Sequence, residues 1–273
     1  MDLTRYGIWT SAHGVGEGNL GAAAALAERL GYGAILLGGS PQLPAVEPML
    51  AQTERIVVAT GIVNVWQYES ARLAEEFKAL DARYPGRLLL GIGIGHPEAT
   101  SVYAKPLTKM RTFFDGLAAA PHPVPRERLV AAALGPKMLD LSYERGLGTH
   151  PYFVPPTHTA FARDRLGPGA LIAPELAVVL DTDTARARQT ARSYAAMYLR
   201  LTNYTSNLRR FGYTDADLAG GGSDRLIDTV VPQGSVDDLA AHVQAHLTAG
   251  ADHVCVQTVG VDGVPERAWT ALA

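Results

Sequence analysis

The residues able to do chemistry in this chain stand just after its apolar runs. Trp9, Ser11 and His13 follow the first run, Gly38 and Gly39 the second, and Asn64 and Trp66 the third. Gly93, Gly95 and His96 follow the fourth, Gly135 and Lys137 the fifth, and His150 and Tyr152 the sixth. The set is poor in carboxylates. It offers no Asp/Glu pair for glycoside hydrolysis, no His-x-His metal pair and no Gly-x-Ser-x-Gly nucleophile turn. Flat rings beside glycines suit instead the binding of an aromatic cofactor that brings its own reactivity.

Each of these signals has a plain structural alternative. Gly91-x-Gly93-x-Gly95 can open the backbone to a flat or phosphorylated ligand, or simply make a tight strand-to-helix turn. Leu134-Gly135-Pro136-Lys137-Met138 reads as a helix start with Pro at N1, whose free N-H groups suit a phosphate. Trp9 and Trp66 can stack on a ring system, and Trp9 can equally fill a barrel. His96, beside two glycines at a strand end, is the best acid-base candidate. His242 and His246 are four apart on a helix, but with no third ligand in view a solvated face is expected and no metal is assigned. His150 and His158 flank Pro155-Pro156, which reads as a loop.

The elements that must position these residues alternate. Arg55 to His96 is the clearest stretch: a β-branched run from Ile56 to Val63, a helical pattern from Ser70 to Arg83, and the run Leu88 to His96. Such a βαβ unit has parallel strands covered on both faces. Before it come the runs Tyr6-Gly7-Ile8-Trp9 and Ala34 to Leu37, with helices over Gly18 to Gly31 and Val46 to Gln52. After it come a helix through Lys109 to Phe114, a fifth strand at Leu129 to Leu134 and a helix from Pro136 to Glu144. A Pro-interrupted sixth strand is read at Thr149 to Val154, a seventh at Leu176 to Leu180 and an eighth at Asp252 to Thr258. Eight strands with intervening helices favour a (β/α)8 TIM barrel, α/β in class, as a single domain over residues 1–273. About seventy residues separate strands seven and eight, so an insertion at about 183–234 is expected, opening with a long helix from Asp183 to Arg210. Ser235 with Asp238 then starts a capped helix.

Composition narrows the partners. The 273 residues are 47% hydrophobic and 19% charged, with 24 basic against 27 acidic side chains and a net charge of −3, so no basic field exists to attract nucleic acid or anionic lipid. The single cysteine, Cys255, lies in an apolar run and is expected to be a buried, inert thiol. No signal-peptide pattern opens the sequence, and no apolar stretch approaches the ~20 residues that span a bilayer. A cytoplasmic location is the resulting expectation.

Several of these pieces, in order along nearly the whole chain, resemble the bacterial luciferase-like family of flavin- and deazaflavin-dependent oxidoreductases, especially its coenzyme F420 branch of actinobacterial type. They are Thr60-Gly61-Ile62, Pro85-Gly86-Arg87-Leu88-Leu89-Leu90-Gly91-Ile92-Gly93, Ala133 to Met138, Leu176 to Arg186 and Ala249 to Val254. The resemblance implies a barrel that seats F420, or alternatively FMN, at its C-terminal rim. It implies a ring backed by a strand-three bulge with a non-prolyl cis peptide at Gly61-Ile62, and a phosphate tail near Gly135-Pro136-Lys137 and His150-Pro151-Tyr152. The cofactor-binding set it marks out is Trp9, Gly61, Ile62, Asn64, Gly93, Gly95, Gly135, Pro136, Lys137, Met138, His150 and Tyr152, with His96 as the catalytic residue. The implied activity is hydride transfer between F420 and a small organic substrate. An FMN-dependent monooxygenase and a non-catalytic flavin-binding barrel are the alternatives, and a homodimer is the implied assembly. The chain departs from well-studied F420 dehydrogenases of the family, which carry an Asp-His pair after strand two and an acid after strand four. Here those positions are Gly38-Gly39 and His96, and a short Ala118 to Pro125 region implies an open mouth.

Overall fold

The computed structural model describes residues 3–273. Its strands are β1 (Tyr6–Ser11), β2 (Ala34–Gly38), β3 (Val57–Gly61), β4 (Val63–Asn64), β5 (Leu88–Gly93), β6 (Leu129–Ala131), β7 (Gly148–Thr149), β8 (Leu171–Ile172), β9 (Glu175–Leu180), β10 (Gln233–Gly234) and β11 (Val254–Thr258). All pairings are parallel. β8 bonds to β7 while β9 bonds to β11, and the two belong to one extended run from 171 to 180 interrupted at Ala173-Pro174. The Glu175 N-H donates to the Pro151 carbonyl on one side, and the Cys255 N-H donates to the Pro174 carbonyl on the other. Hydrogen bonds thereby close the ring. Counting β3–β4 and β8–β9 as one strand each gives the (β/α)8 barrel, with β10 a short addition beside the end of β9.

Alternation along each strand sorts the side chains. Ala34 and Leu36 of β2, Val57 and Ala59 of β3, Leu89, Val130 and Cys255 pack with Trp9 inside the barrel. Their neighbours Ile35, Leu37, Val58, Leu88 and Leu90 face the helices. Cys255 is fully buried among apolar groups, as its sequence context implies. The floor is closed by His253, whose ring lies over Gly7, where a side chain would overlap it. No helix among the described residues is long and apolar enough to cross a membrane.

The third strand carries one residue too many for its partner. Between the pairs Ala59↔Leu89 and Val63↔Ile92 there are four steps along β3–β4 but three along β5. The surplus is taken up at Gly61-Ile62, whose peptide bond is cis, where the family likeness places it. The glycine series of β5 answers this bulge residue for residue. A Cβ on Gly91 would overlap the Thr60 carbonyl, one on Gly93 would meet the Ile62 side chain, and one on Gly95 would meet the Asn64 amide. Thr60 Oγ1 adds a 2.8 Å bond to the Gly91 carbonyl and accepts the Gly91 N-H at 2.9 Å. The expectation that Gly93 and Gly95 leave bare backbone for a ligand is therefore corrected. The bulge itself fills that space.

Elsewhere the differences from the sequence reading have local causes. Strand six stops at Thr149, because Pro151 has no N-H for the ladder. Strand seven starts at Leu171, five residues earlier than its apolar run, hidden by Pro174. The expected loop after Pro155 is a helix, Pro156–Leu166, with Pro at N1. The expected long helix from Asp183 to Arg210 is two helices, Thr184–Tyr198 and Thr202–Arg210. The second begins where the Glu98 carboxylate accepts both the N-H and the hydroxyl of Thr202, at 2.9 and 2.6 Å. Ser235 and Asp238 make the full capping box. The short Ala118 to Pro125 region connects the helix Pro106–Ala118 to the start of β6, on the face opposite the strand tips, so it does not shape the mouth.

His158 and His246 face each other between the helices Pro156–Leu166 and Val236–Thr248, both fully buried, with the Thr159 hydroxyl 2.8 Å from His246 Nδ1. The solvated face expected for His246 is overturned by this burial. Desolvation pulls His246 down to about 3 and His158 to about 4 from an ordinary 6.5, so both are neutral when folded.

Two outcomes follow from these contacts. Gly91→Ala should lower stability by ~2 kcal/mol or more, because the Thr60 carbonyl is backbone and cannot swing aside; a fall in the urea midpoint at unchanged m would show it. The unfolded histidines take up protons below 6.5 that the folded ones refuse. Stability is thus full above that pH and is lost as pH falls toward 4, with a shallower slope in His246→Gln, read from denaturation midpoints across pH 4.5 to 7.5.

Candidate active site

The C-terminal tips of the strands converge on one mouth, and Trp9 organises its base. A Cβ on Gly38 would overlap the Trp9 ring, and one on Gly61 would come within 2.6 Å of Trp9 Nε1 and 3.5 Å of His150 Nε2. Trp9 thus fills the space above β2 in which a side chain at position 38 would project. This accounts for glycine at 38. His150 is 2% exposed, and its Nδ1 lies 2.6 Å from the Ala173 carbonyl, which fixes the ring proton there and leaves Nε2 as an acceptor. Desolvation takes its pKa down to about 4. His150 thus lies beside the bulge, its Nε2 on the side of Gly61. Trp9 Nε1 and His150 Nε2 are both buried without a hydrogen-bond partner.

Above this base lies a cluster of phenols. Tyr152 packs on Trp9 with ring centroids 5.2 Å apart, and its hydroxyl reaches the Tyr194 hydroxyl at 2.5 Å, that of Tyr198 at 3.0 Å and Gln257 Oε1 at 2.6 Å. Tyr194 also donates to Gln257 Oε1, at 3.1 Å. Burial raises the pKa of Tyr152, Tyr194 and Tyr198, so each remains a neutral donor. Tyr194, Tyr198 and Tyr204 all come from the insertion, which brings its aromatic face over the end of the barrel. Phe211, just past the second insertion helix, packs on His158 and Phe161.

His96 stands at the tip of β5 against the Tyr204 ring, centroids 4.8 Å apart. The Asn203 amide donates to the Gly95 carbonyl at 3.1 Å and to His96 Nδ1 at 3.4 Å, which leaves the imidazole proton on Nε2. Burial lowers the His96 pKa, opposed by the nearby Glu98 carboxylate. Asn64, at the far end of the bulge, accepts the Trp66 N-H at 3.0 Å, and Trp66 Nε1 donates to the Ile94 carbonyl at 2.7 Å.

The turn before the helix Pro136–Arg145 lies at the same end, its Leu134 packed against the same apolar cluster as Tyr152, Tyr194 and Tyr198. Gly135 is its N-cap and Pro136 its N1, as the sequence implies. Lys137 is exposed, and the Arg210 guanidinium lies about 4 Å from where a Gly135 Cβ would be. The Met138 N-H turns back to the Gly135 carbonyl at 3.1 Å and its side chain packs against the apolar core, so Met138 shapes the turn instead of offering it to a ligand. His158 Nε2, 3.0 Å from the Leu134 carbonyl, braces the turn from below.

Sequence reasoning missed Tyr194, Asn203, Arg210, Gln257 and Glu175. Tyr194 and Tyr198 are four apart on one helix face, a spacing that could have revealed the pair. Gln257 is two residues after the inward-facing Cys255, and the alternation of β11 points both the same way. Arg210 and Asn203 come to the rim only through the break between the two insertion helices, which no local signal marks. A separate cleft of about 350 Å³, on the outer side near β10, is lined by Asp181, Arg188, Asp228, Gln233, Asp238 and His242. Arg188 there is already paired with Asp224 and Asp228, and no metal-holding cluster occurs among the described residues.

A sequence model of the luciferase-like monooxygenase family matches residues 2–111. Two curated proteins named F420-dependent glucose-6-phosphate dehydrogenase, from Microbacterium testaceum and Nakamurella multipartita, are each 30% identical over 104 residues, covering 33% of this chain and 31% of theirs. The match thus spans about a third of the length of these relatives. Among solved structures, a coenzyme F420-dependent tetrahydromethanopterin reductase from Methanopyrus kandleri superposes with a TM-score of 0.78 at 15% identity, over 98% of this chain and 97% of that one. An F420-dependent secondary alcohol dehydrogenase in complex with an F420-acetone adduct gives a TM-score of 0.75 at 14% identity, over 99% of both chains. At such identities the likeness is one of fold. The family model thus matches the first strands of the chain, including the bulge at Gly61-Ile62, while the likeness to the solved structures is of the whole barrel.

Proposed function

We propose that this chain is an oxidoreductase that binds coenzyme F420 in the mouth of its barrel and transfers hydride between it and a small organic substrate. The observation that carries the reading is the convergence of Trp9, the Gly61-Ile62 bulge, Tyr152 and His96 on one carboxylate-poor mouth, with a cationic helix start beside it. The names of the curated relatives support F420 over FMN. The same reading takes the working form to be a cytoplasmic homodimer, as family likeness implies.

The residues present fit such a cofactor. Gly61 and Ile62 are partly exposed at the mouth, and the unpartnered Trp9 Nε1 donor and His150 Nε2 acceptor lie directly beneath the bulge. Gly135 and Pro136, with Lys137 and Arg210, would hold an anionic tail at a helix N-terminus. When bound, the deazaflavin supplies two-electron hydride chemistry. The protein's part is to position and to manage the proton. Asn64 and the glycines at 93 and 95 hold the bulge in place, Trp9 and Tyr152 form an apolar base with their rings tilted by 56°, and His96, with its proton on Nε2, serves as the proton donor or acceptor.

Two outcomes test the reading. Titration into the apoprotein should quench F420 fluorescence at micromolar protein with no comparable effect on FMN; tight FMN binding without F420 binding would replace the proposal with the monooxygenase reading. His96→Ala should lower kcat by about 10²- to 10³-fold, the usual range for a lost general acid, while leaving F420 quenching unchanged.

A further inference from the structure

The segment around His96 meets the insertion through two neighbouring residues that do different work. The Glu98 carboxylate, kept charged by its bonds to Thr202, holds the Thr202 N-H and hydroxyl at 2.9 and 2.6 Å. Next along the chain, the Asn203 side chain bridges the Gly95 carbonyl at 3.1 Å and His96 Nδ1 at 3.4 Å. A carbonyl can only accept, so the Asn203 atom between the two must be its NH2 group. His96 Nδ1 therefore faces a donor.

This contact selects among the three states of an imidazole. A proton on Nδ1 would set donor against donor, both in the neutral Nδ1-H tautomer and in the imidazolium. Only the neutral Nε2-H form fits. Burial of His96 acts in the same direction, and the Glu98 charge acts against it. The phenol of Tyr204, whose ring packs on the imidazole, is itself buried and neutral. Arg210, a cation of the same helix, is exposed, donates to Asn207 at 3.3 Å, and its charge bears on His158.

A neutral ring whose lone pair is turned to Asn203 has no free basic nitrogen, and giving up its only N-H proton would leave an imidazolate. It can lend a hydrogen bond instead. We propose that Asn203 is a positioning residue that locks His96 as a neutral Nε2-H donor, and that His96 acts by holding an oxygen or nitrogen acceptor of the bound ligand while keeping its proton. The inference rests on the proposed F420 reading and narrows the part of His96 within it, from proton carrier to hydrogen-bond donor. Glu98 has a separate task, since its hold on Thr202 seats the residue next to it.

The test reads the ring directly. The full chain is prepared with 15N-labelled histidine, and long-range proton-nitrogen NMR correlations report which nitrogen of each ring is protonated from pH 5 to 8, with His96→Gln identifying the His96 signals by their loss. Wild-type His96 should show the neutral Nε2-H pattern and titrate below the ordinary 6.5. Asn203→Asp, which offers Nδ1 an acceptor of the same shape, should move the proton to Nδ1 and raise the pKa above that of the wild type. Asn203→Leu, which removes the donor and keeps the test open if Asn203→Asp does not fold, should let the Nδ1-H tautomer appear. Glu98→Gln should keep the tautomer and lower the pKa. A wild-type ring protonated on Nδ1, an Asn203→Asp ring that matches the wild type, or a pure Nε2-H ring in Asn203→Leu would overturn the inference. Oxidised F420 added to the wild type should shift the His96 signals and leave the ring neutral; conversion to the imidazolium would also overturn it. Absence of F420 quenching would instead strike the cofactor reading, while the spectrum of the apoprotein still judges the lock.

Discussion

One surplus residue in one strand governs the architecture around the mouth. A closed barrel cannot pass a register error on to its edge, because it has no edge. The extra step between Ala59 and Val63 must be absorbed where it arises, and Gly91, Gly93 and Gly95 make the room. The bulge turns Gly61 and Ile62 toward the mouth and frees the space beside Gly61 in which Trp9 and His150 meet. From Trp9 the dependence runs outward to Gly38 on one side and Tyr152 on the other.

The insertion finishes what the bulge begins. Its two helices are separated where the Glu98 carboxylate caps Thr202, and this break lets Tyr194 and Tyr198 face the phenol of Tyr152 while Asn203 and Tyr204 face His96. A single unbroken helix over the same residues would run straight past one of these groups. The carboxylate at position 98 thus sets where the second helix begins and also works against burial in raising the pKa of the neighbouring His96.

The sequence was most legible where a residue's type answers to its backbone neighbours. The β-branched run before Gly61, the Pro136 helix start and the Ser235-Asp238 box each declare themselves within a few residues, and each is found. The barrel as a whole followed from the same alternation, supported by the order of the family motifs. The spacing of the β5 glycines stands out in the sequence, but its cause does not: Gly91, Gly93 and Gly95 face Thr60, Ile62 and Asn64 across the sheet, a relation between segments thirty residues apart. Strand seven was half hidden because Pro174 interrupts it, and the burial of His246 could not be foreseen without its partner Thr159. Tyr194, Gln257 and Arg210 reach the rim through tertiary packing, which composition and periodicity do not encode.

His253 gives the barrel a further property. Its ring, 1% exposed and resting over the bare backbone of Gly7, stoppers the end away from the phenols. With the interior above it filled by Leu36, Leu89, Val130 and Trp9, nothing in solution reaches the mouth from below.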